Sequence, residues 1–408
     1  MGINKSNVAL WCLTQIFFAY QFVLRVSPSL IVEELMQKFH INASSYGTLV
    51  ALYYIGYAGM QIPTGIMLDR YGPRLVAMFS LFICFIGNLM FLSDDLTIAT
   101  IGRFLVGAGS TAGFLSASKA ASIGFPRKYY SYMMSFTFTF GYLGAIYGGK
   151  PIALLNQAFG WHNTLFCLNV FSLLIIAGLF VLKTPYKPEY DDQPSSIISD
   201  IKKVISQPHI LLVCICGLLQ VGPLEVFADT WGVNYLTQMY GIAKPQAAAF
   251  TSSIYFGICF GGPILTWVAE KYEQHYVISA LCGVLMAIAF VCLLNYKLPP
   301  YLLFALMIGV GVCSGHQILI FAITCNRAPL HLTGVVTSVT NMTIMSGGSL
   351  FNFILGHLLD YNWNGQVING LRVYEAAAYH NALSIFPITL IIGGIGLFLL
   401  GKKSKIKV

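Results

Sequence analysis

Few side chains in this sequence could do chemistry in an apolar setting, and two stretches hold most of them. In residues 20–29, YQFVLRVSPS, Gln21 and Arg25 stand four apart and so share one face of a helix. A guanidinium keeps its charge when buried, so Arg25 suits an anionic group such as a carboxylate, or an acid partner. Snorkelling to lipid headgroups is the structural alternative. In residues 220–231, QVGPLEVFADTW, Gln220 precedes a Gly222-Pro223 break, and Glu225 and Asp229 share the face beyond it. The pair could form a salt bridge with the basic group of the other stretch or clamp one end of a zwitterion, and, since a desolvated carboxylate holds its proton more readily, it could carry a coupling proton. A charged helix end at the surface is the simpler use of the same two acids.

Other candidates are single polar groups on apolar segments. Tyr54, Tyr57 and Gln61 recur at helical spacing, and Tyr255 stands in a matching run further on. Tyrosine suits a solute cavity, but equally packing or an interfacial belt. His316 is the histidine best centred in an apolar run and could titrate near neutral pH, or simply pack with a hydrogen bond. Asn341 is a weaker cavity candidate. Arg103, in GRFLVGAGSTAG, needs a carboxylate or carbonyl partner if buried. Cys214 and Cys216 diverge on a helix, so neither they nor any other cluster reads as a metal site.

The elements that must position these groups are membrane spans. The chain is 57% hydrophobic and 9% charged, against roughly 25% charged in soluble domains. Apolar runs of about 20 residues, each able to cross roughly 30 Å of hydrocarbon, predict twelve spans: 8–30, 45–68, 75–93, 97–119, 130–150, 162–182, 209–236, 247–269, 276–295, 299–324, 334–359 and 380–400. No small-residue cleavage site follows the first run, which reads as a retained helix. With the N-terminus inside, sixteen Lys and Arg fall on one face and five on the other, with Arg25 and Arg103 within spans. This predicts cytoplasmic termini. The net charge of +8 follows from that bias and needs no nucleic acid.

The chain also repeats itself. A shift of 201 residues pairs Tyr54 with Tyr255, Gly56 with Gly257, Asp69 with Glu270 and Arg70 with Lys271. A shift of 202 pairs Gly107, Gly109 and Gly113 with Gly309, Gly311 and Gly315. Two parallel halves are expected: a six-helix bundle over 1–182, a Pro- and Ser-rich cytoplasmic linker over 183–207 with a short surface helix, and a second bundle over 208–408.

The segment GIMLDRYGPR supplies Gly65, Asp69, Arg70, Gly72 and Arg74. Its charges must lie at a membrane face, Gly65 would allow close helix approach and Gly72 a tight turn, and Pro73 could start a helix. This pattern resembles the loop between the second and third helices of the major facilitator superfamily, where it acts in gating. The Arg103–Gly107 spacing resembles a superfamily motif whose arginine, in proton-coupled members, is tied to coupling. Ala145 stands where an antiporter motif has proline, which weakens a drug-efflux reading. The first two helices also resemble bacterial carriers of the phagosomal nutrient transporter group, which implies amino-acid uptake.

The resemblance implies an all-α membrane protein of twelve helices in two pseudo-symmetric bundles, working by alternating access. The expected function is proton-coupled uptake of a small charged or zwitterionic nutrient, an amino acid or short peptide. A drug or metabolite efflux antiporter and an organic-anion carrier are the alternatives. The expected substrate residues are Gln21, Arg25, Tyr54, Tyr57, Gln61, Gln220, Glu225, Asp229, Tyr255, His316 and Asn341, and the coupling residues are Glu225, Asp229, His316 and Arg103. No enzyme constellation, phosphate-binding loop, metal or cofactor is expected beyond the proton gradient. The partners expected are a small-molecule substrate and the bilayer of a bacterial inner membrane, with no nucleic acid, around a monomer.

Overall fold

The computed structural model describes residues 5–126, 129–182, 197–329, 332–368 and 371–405. Much of the expected linker, together with Arg127 and Lys128, lies outside the described residues. Nearly everything described is helix, because a backbone in hydrocarbon must satisfy its own hydrogen bonds. Ten described segments are long and apolar enough to cross a membrane. Two further rods complete the expected twelve. One is α3 (Ala43–Gly59), which runs on into α4 (Gln61–Phe91) as far as Gly72, and the other is α7 (Tyr130–Gly148) with α8 (Lys150–Phe159). Within α4 only Gly72 leaves helical geometry, at φ 80° and ψ 164°, a conformation L side chains rarely adopt. The GIMLDRYGPR turn is thus a single-residue break, with Pro73 opening the following helix. Gly65 makes no close approach to a described neighbour, contrary to expectation.

The chain falls into two compact units, residues 1–39 with 49–192, and residues 40–48 with 193–408. In the first, α1 (Lys5–Val26) packs on α6 (Ala112–Gly124), α7 and α9 (Trp161–Val181), while α4 packs on α5 (Leu96–Ser110) and α9. In the second, α11 (Pro208–Val226) packs on α17 (Thr333–Tyr361) and α19 (Ile385–Lys405). Alongside, α13 (Lys244–Tyr272) packs on α15 (Pro300–Ser314), and α14 (His275–Asn295) on α15 and α19. The expected surface helix is α10 (Ile197–Ile205), whose buried Val204 joins Ile210, Cys214, Leu332, Val336 and Val339 in one core cluster.

The repeat is visible in the packing of each unit, with one correction. A Cβ on Gly107 would overlap the Tyr53 carbonyl oxygen, and one on Gly311 would overlap that of Ile254. Gly56 lies against Phe104 and Ala108, as Gly257 lies against Ile308 and Val312. The counterpart of Gly107 is therefore Gly311, a shift of 204 residues, whereas Gly309 faces open space. The discrepancy has a simple origin: α14 ends at Asn295 while α4 ends at Phe91, so the second unit gains residues before its fourth helix.

Candidate substrate-binding site

In the first unit one helix contact organises the polar residues. Because Gly107 lacks a side chain, the backbones of α3 and α5 touch at Tyr53, and this sets the Tyr53 ring over Arg103, 4.6 Å from the guanidinium carbon. Arg103 is buried and donates from Nη1 to the Leu24 carbonyl at 2.9 Å and from Nη2 to the Arg25 carbonyl at 3.1 Å. These carbonyls lie in the last turn of α1, where the chain tightens into the 3-10 turn Ser27–Leu30, and the Leu24 carbonyl also accepts from the Ser27 hydroxyl at 3.3 Å. The motif arginine thus holds the end of α1, while its partner glycine admits the aromatic lid.

Arg25 is 7% exposed and points between rings, its guanidinium carbon 5.5 Å from the Phe22 centroid and 5.1 Å from that of Tyr54. The Tyr53 hydroxyl donates to Gln21 Oε1 at 2.8 Å. Tyr57 stacks on Tyr53 at 6.1 Å. Gln21, Arg25, Tyr54, Tyr57 and Arg103 therefore form one cluster, and Arg25 is embedded rather than exposed. Tyr53 was not among the expected site residues, yet it touches Gln21, Tyr54, Tyr57 and Arg103. Its signal was the Arg103–Gly107 spacing, but the contact across helices was needed to read it. Gln61 is buried a turn beyond Tyr57, its Nε2 with no protein partner.

The turn motif is occupied as well. Asp69 pairs with Lys119 at 2.9 Å. Arg74 donates to the Leu179 and Phe180 carbonyls at 2.7 and 2.8 Å, capping the C-terminal end of α9 with a positive charge. Arg70 lies over the Tyr71 ring.

In the second unit, Glu225 and Asp229 are both buried, at 8% and 1% exposure. The expected break after Gly222-Pro223 takes the form of a π-helical turn, Phe227–Trp231, four residues past the proline. Such widened turns absorb an extra residue and recur at functional sites. Gly222 sits against the Phe351 ring and the Gly347 backbone. Tyr255 is buried on α13 and Asn341 is half-buried on α17. His316 occupies the break between α15 and α16 (Gln317–Cys325), with Nδ1 2.9 Å from the Cys313 carbonyl. That contact assigns the proton to Nδ1 and leaves Nε2 as an acceptor. Gln220 is fully buried, its amide wedged against Gly283 of α14 and Gly394 of α19.

The buried charges are thus segregated: guanidiniums Arg25 and Arg103 in the first unit, and carboxylates Glu225 and Asp229 on the seventh rod of the second. The only other buried charge among the described residues is Asp200, which pairs with Lys203 at 2.8 Å.

A polytopic helical fold with buried, oppositely charged clusters defines a solute carrier. The Major Facilitator Superfamily signature matches residues 11–352, and the chain belongs to that family. It is a transporter of small molecules, and not an enzyme. The chain is 21% identical to a probable galactarate/D-glucarate transporter of Escherichia coli, over 96% of this chain and 95% of that one. It is 24% identical to a 4-hydroxybenzoate transporter of Pseudomonas putida over 85% of each, and 22% identical to an uncharacterized transporter of Bacillus subtilis over 82% and 83%. Among solved structures it resembles an inward-facing bacterial homologue of the lysosomal transporter Spinster, with TM-score 0.77, 12% identity and 98% of each chain covered. It also resembles the nucleoside transporter NupG, with TM-score 0.76, 13% identity and coverage of 97% and 99%. These likenesses confirm the fold.

Proposed function

We propose that this transporter takes up a small solute bearing a carboxylate, an amino acid or short peptide, and couples uptake to protons. The observation that carries this reading is the segregation of buried charge. Arg25 is desolvated, framed by Phe22 and Tyr54, and adjoins the Gln21–Tyr53 hydrogen bond. A planar guanidinium in that setting suits a carboxylate in two-point contact. Arg103 is engaged by carbonyls and acts as the support of α1. Glu225 and Asp229 supply the opposite charge, for an ammonium group or for the coupling proton.

A second reading is favoured by a different observation: relatives named for galactarate, D-glucarate and 4-hydroxybenzoate carry acids that lack an amine. In that case Arg25 keeps its role and the acids serve protons alone.

The test is uptake into proteoliposomes of labelled amino acids, dipeptides, aldarates, aromatic acids and, as solutes without a carboxylate, neutral sugars and nucleosides, with and without an imposed pH gradient. The proposal expects accumulation of an amino acid or dipeptide that collapses with the gradient, and its loss in Arg25→Ala and Arg25→Lys. Accumulation only of solutes without a carboxylate, or wild-type uptake by Arg25→Ala, would overturn it. Uptake confined to amine-free acids selects the second reading.

A further inference from the structure

Away from the cluster around Arg25, the first unit buries a set of polar side chains where α1, α4 and α9 pack together. The Tyr20 hydroxyl of α1 lies beside Ser172 of α9 and near the thiol of Cys84 on α4. Its ring stands 6.0 Å from that of Phe171. Cys84 Sγ is 3.6 Å from the Val106 carbonyl and 3.9 Å from Ser110 Oγ. One turn along α4 from Cys84 is Asn88, and one turn back along α9 from Ser172 is Asn169. The two helices run in opposite directions, the start of the second half of α4 meeting the end of α9 through Arg74, so these steps lead the same way along the pair.

Both asparagines are sealed from the surface, at 3% and 1% exposure. The Ser172 hydroxyl bonds the Asn169 peptide carbonyl at 2.6 Å, leaving the side-chain amide to find its own partners. Neither Nδ2 nor Oδ1 of Asn169, nor Nδ2 of Asn88, has a protein partner. A buried amide group left dry costs about 1–3 kcal/mol, so groups of this kind are nearly always bonded to protein or to ordered water.

The chemistry of these atoms selects the ligand. Two are donors and one is an acceptor, so an anion would answer only the amides and leave Asn169 Oδ1 bare. A cation would answer only Oδ1, in a unit whose buried charges are Arg25 and Arg103 with no buried carboxylate among the described residues. Water both donates and accepts, and needs two to four polar partners. We propose that Asn88 and Asn169 hold ordered water inside the first unit, between α1, α4 and α9. This internal hydration site ties Tyr20 to the α4–α9 pair, and Tyr20 immediately precedes Gln21 on α1. It thereby braces the helix that carries Gln21 and Arg25, and it holds whichever solute the transporter takes.

Radiolytic footprinting of the purified full-length protein tests this, because hydroxyl radicals formed from bound water label neighbouring side chains even when they are buried. Cys84 and Cys214 are equally sealed at 0% exposure, and beside Cys214 every polar group is already bonded, its thiol donating to Thr340, Thr340 to Thr324 and Thr324 to the Ile320 carbonyl, so it serves as the dry control. Oxidation of Cys84 several-fold faster than of Cys214 is expected, falling to the Cys214 rate in Asn169→Leu and in Asn88→Leu. Should one variant fail to fold, the other decides. Equal rates at the two thiols in the wild-type protein, or a Cys84 rate that neither substitution changes, would overturn the assignment.

Discussion

Asp360 Oδ2 accepts the backbone N–H of Ser44 at 2.9 Å, although 316 residues separate them. Both belong to the second compact unit, which takes in residues 40–48. Asp360 also accepts from the Tyr374 hydroxyl, and from Arg372 Nη1 at 3.2 Å. The Tyr374 oxygen in turn accepts the Ala43 N–H at 3.0 Å. Two of the amides that open α3 are therefore capped by a remote carboxylate and its tyrosine, beside the local cap of Asn42 on Ser45. Asp360→Ala should lower stability by about 2 kcal/mol, since it strands the Ser44 N–H and the Tyr374 hydroxyl, releases Arg372, and removes a negative charge from a helix N-terminus. Thermal unfolding of the purified protein should show a clear drop in Tm, larger than that of Arg372→Ala, whose guanidinium also lies over Trp363 at 4.3 Å.

The same group of residues gives a pH dependence. Burial, and then the bond to Asp360, push the Tyr374 phenol above the usual tyrosine range. A proton held more tightly in the folded state stabilises fully below the unfolded value, about 10, and that contribution is lost as pH rises through the higher folded value. Stability measured from pH 9 upward should therefore decline, and Tyr374→Phe should flatten part of that decline. An identical alkaline slope in the variant would place the proton elsewhere.

Arg103 makes a separate prediction, because its role rests on two diverging donors. Arg103→Lys retains the charge but offers no fork to reach the Leu24 and Arg25 carbonyls together. It should destabilise the protein by about 2 kcal/mol and reduce transport nearly as much as Arg103→Ala. Full transport by Arg103→Lys would show that charge, not geometry, is what α1 requires.

How much of this was legible beforehand differs between levels. Apolar runs fixed the rods, since hydrocarbon leaves a chain no alternative to closing its own hydrogen bonds. The i,i+4 spacing of Gln21 and Arg25 placed both on one face, and their shared cluster bears this out. Contacts between helices were not legible. Tyr53 looked like one tyrosine among several until Gly107 fixed its depth against Arg103. Gln220 read as a cavity residue from its neighbours in sequence, but its amide turns toward Gly283 and Gly394. Remote caps such as Asp360 on Ser44 leave no local trace at all, because neither residue is unusual where it stands.

The corrected register of the repeat can be tested through three glycines. At Gly107 and Gly311 an added methyl would run into a backbone carbonyl of the facing helix, which cannot swing aside as a side chain can. Overpacking of this kind costs about 1–3 kcal/mol, so Gly107→Ala and Gly311→Ala should each lower Tm. Gly107→Ala should also reduce transport, by moving Tyr53 off Arg103. Gly309 faces open space, and alanine is the better helix former by roughly 1 kcal/mol. Gly309→Ala should therefore leave Tm unchanged or raise it. A loss of Tm in Gly309→Ala equal to that in Gly107→Ala, with Gly311→Ala neutral, would restore the shift of 202 and refute the pairing of Gly107 with Gly311.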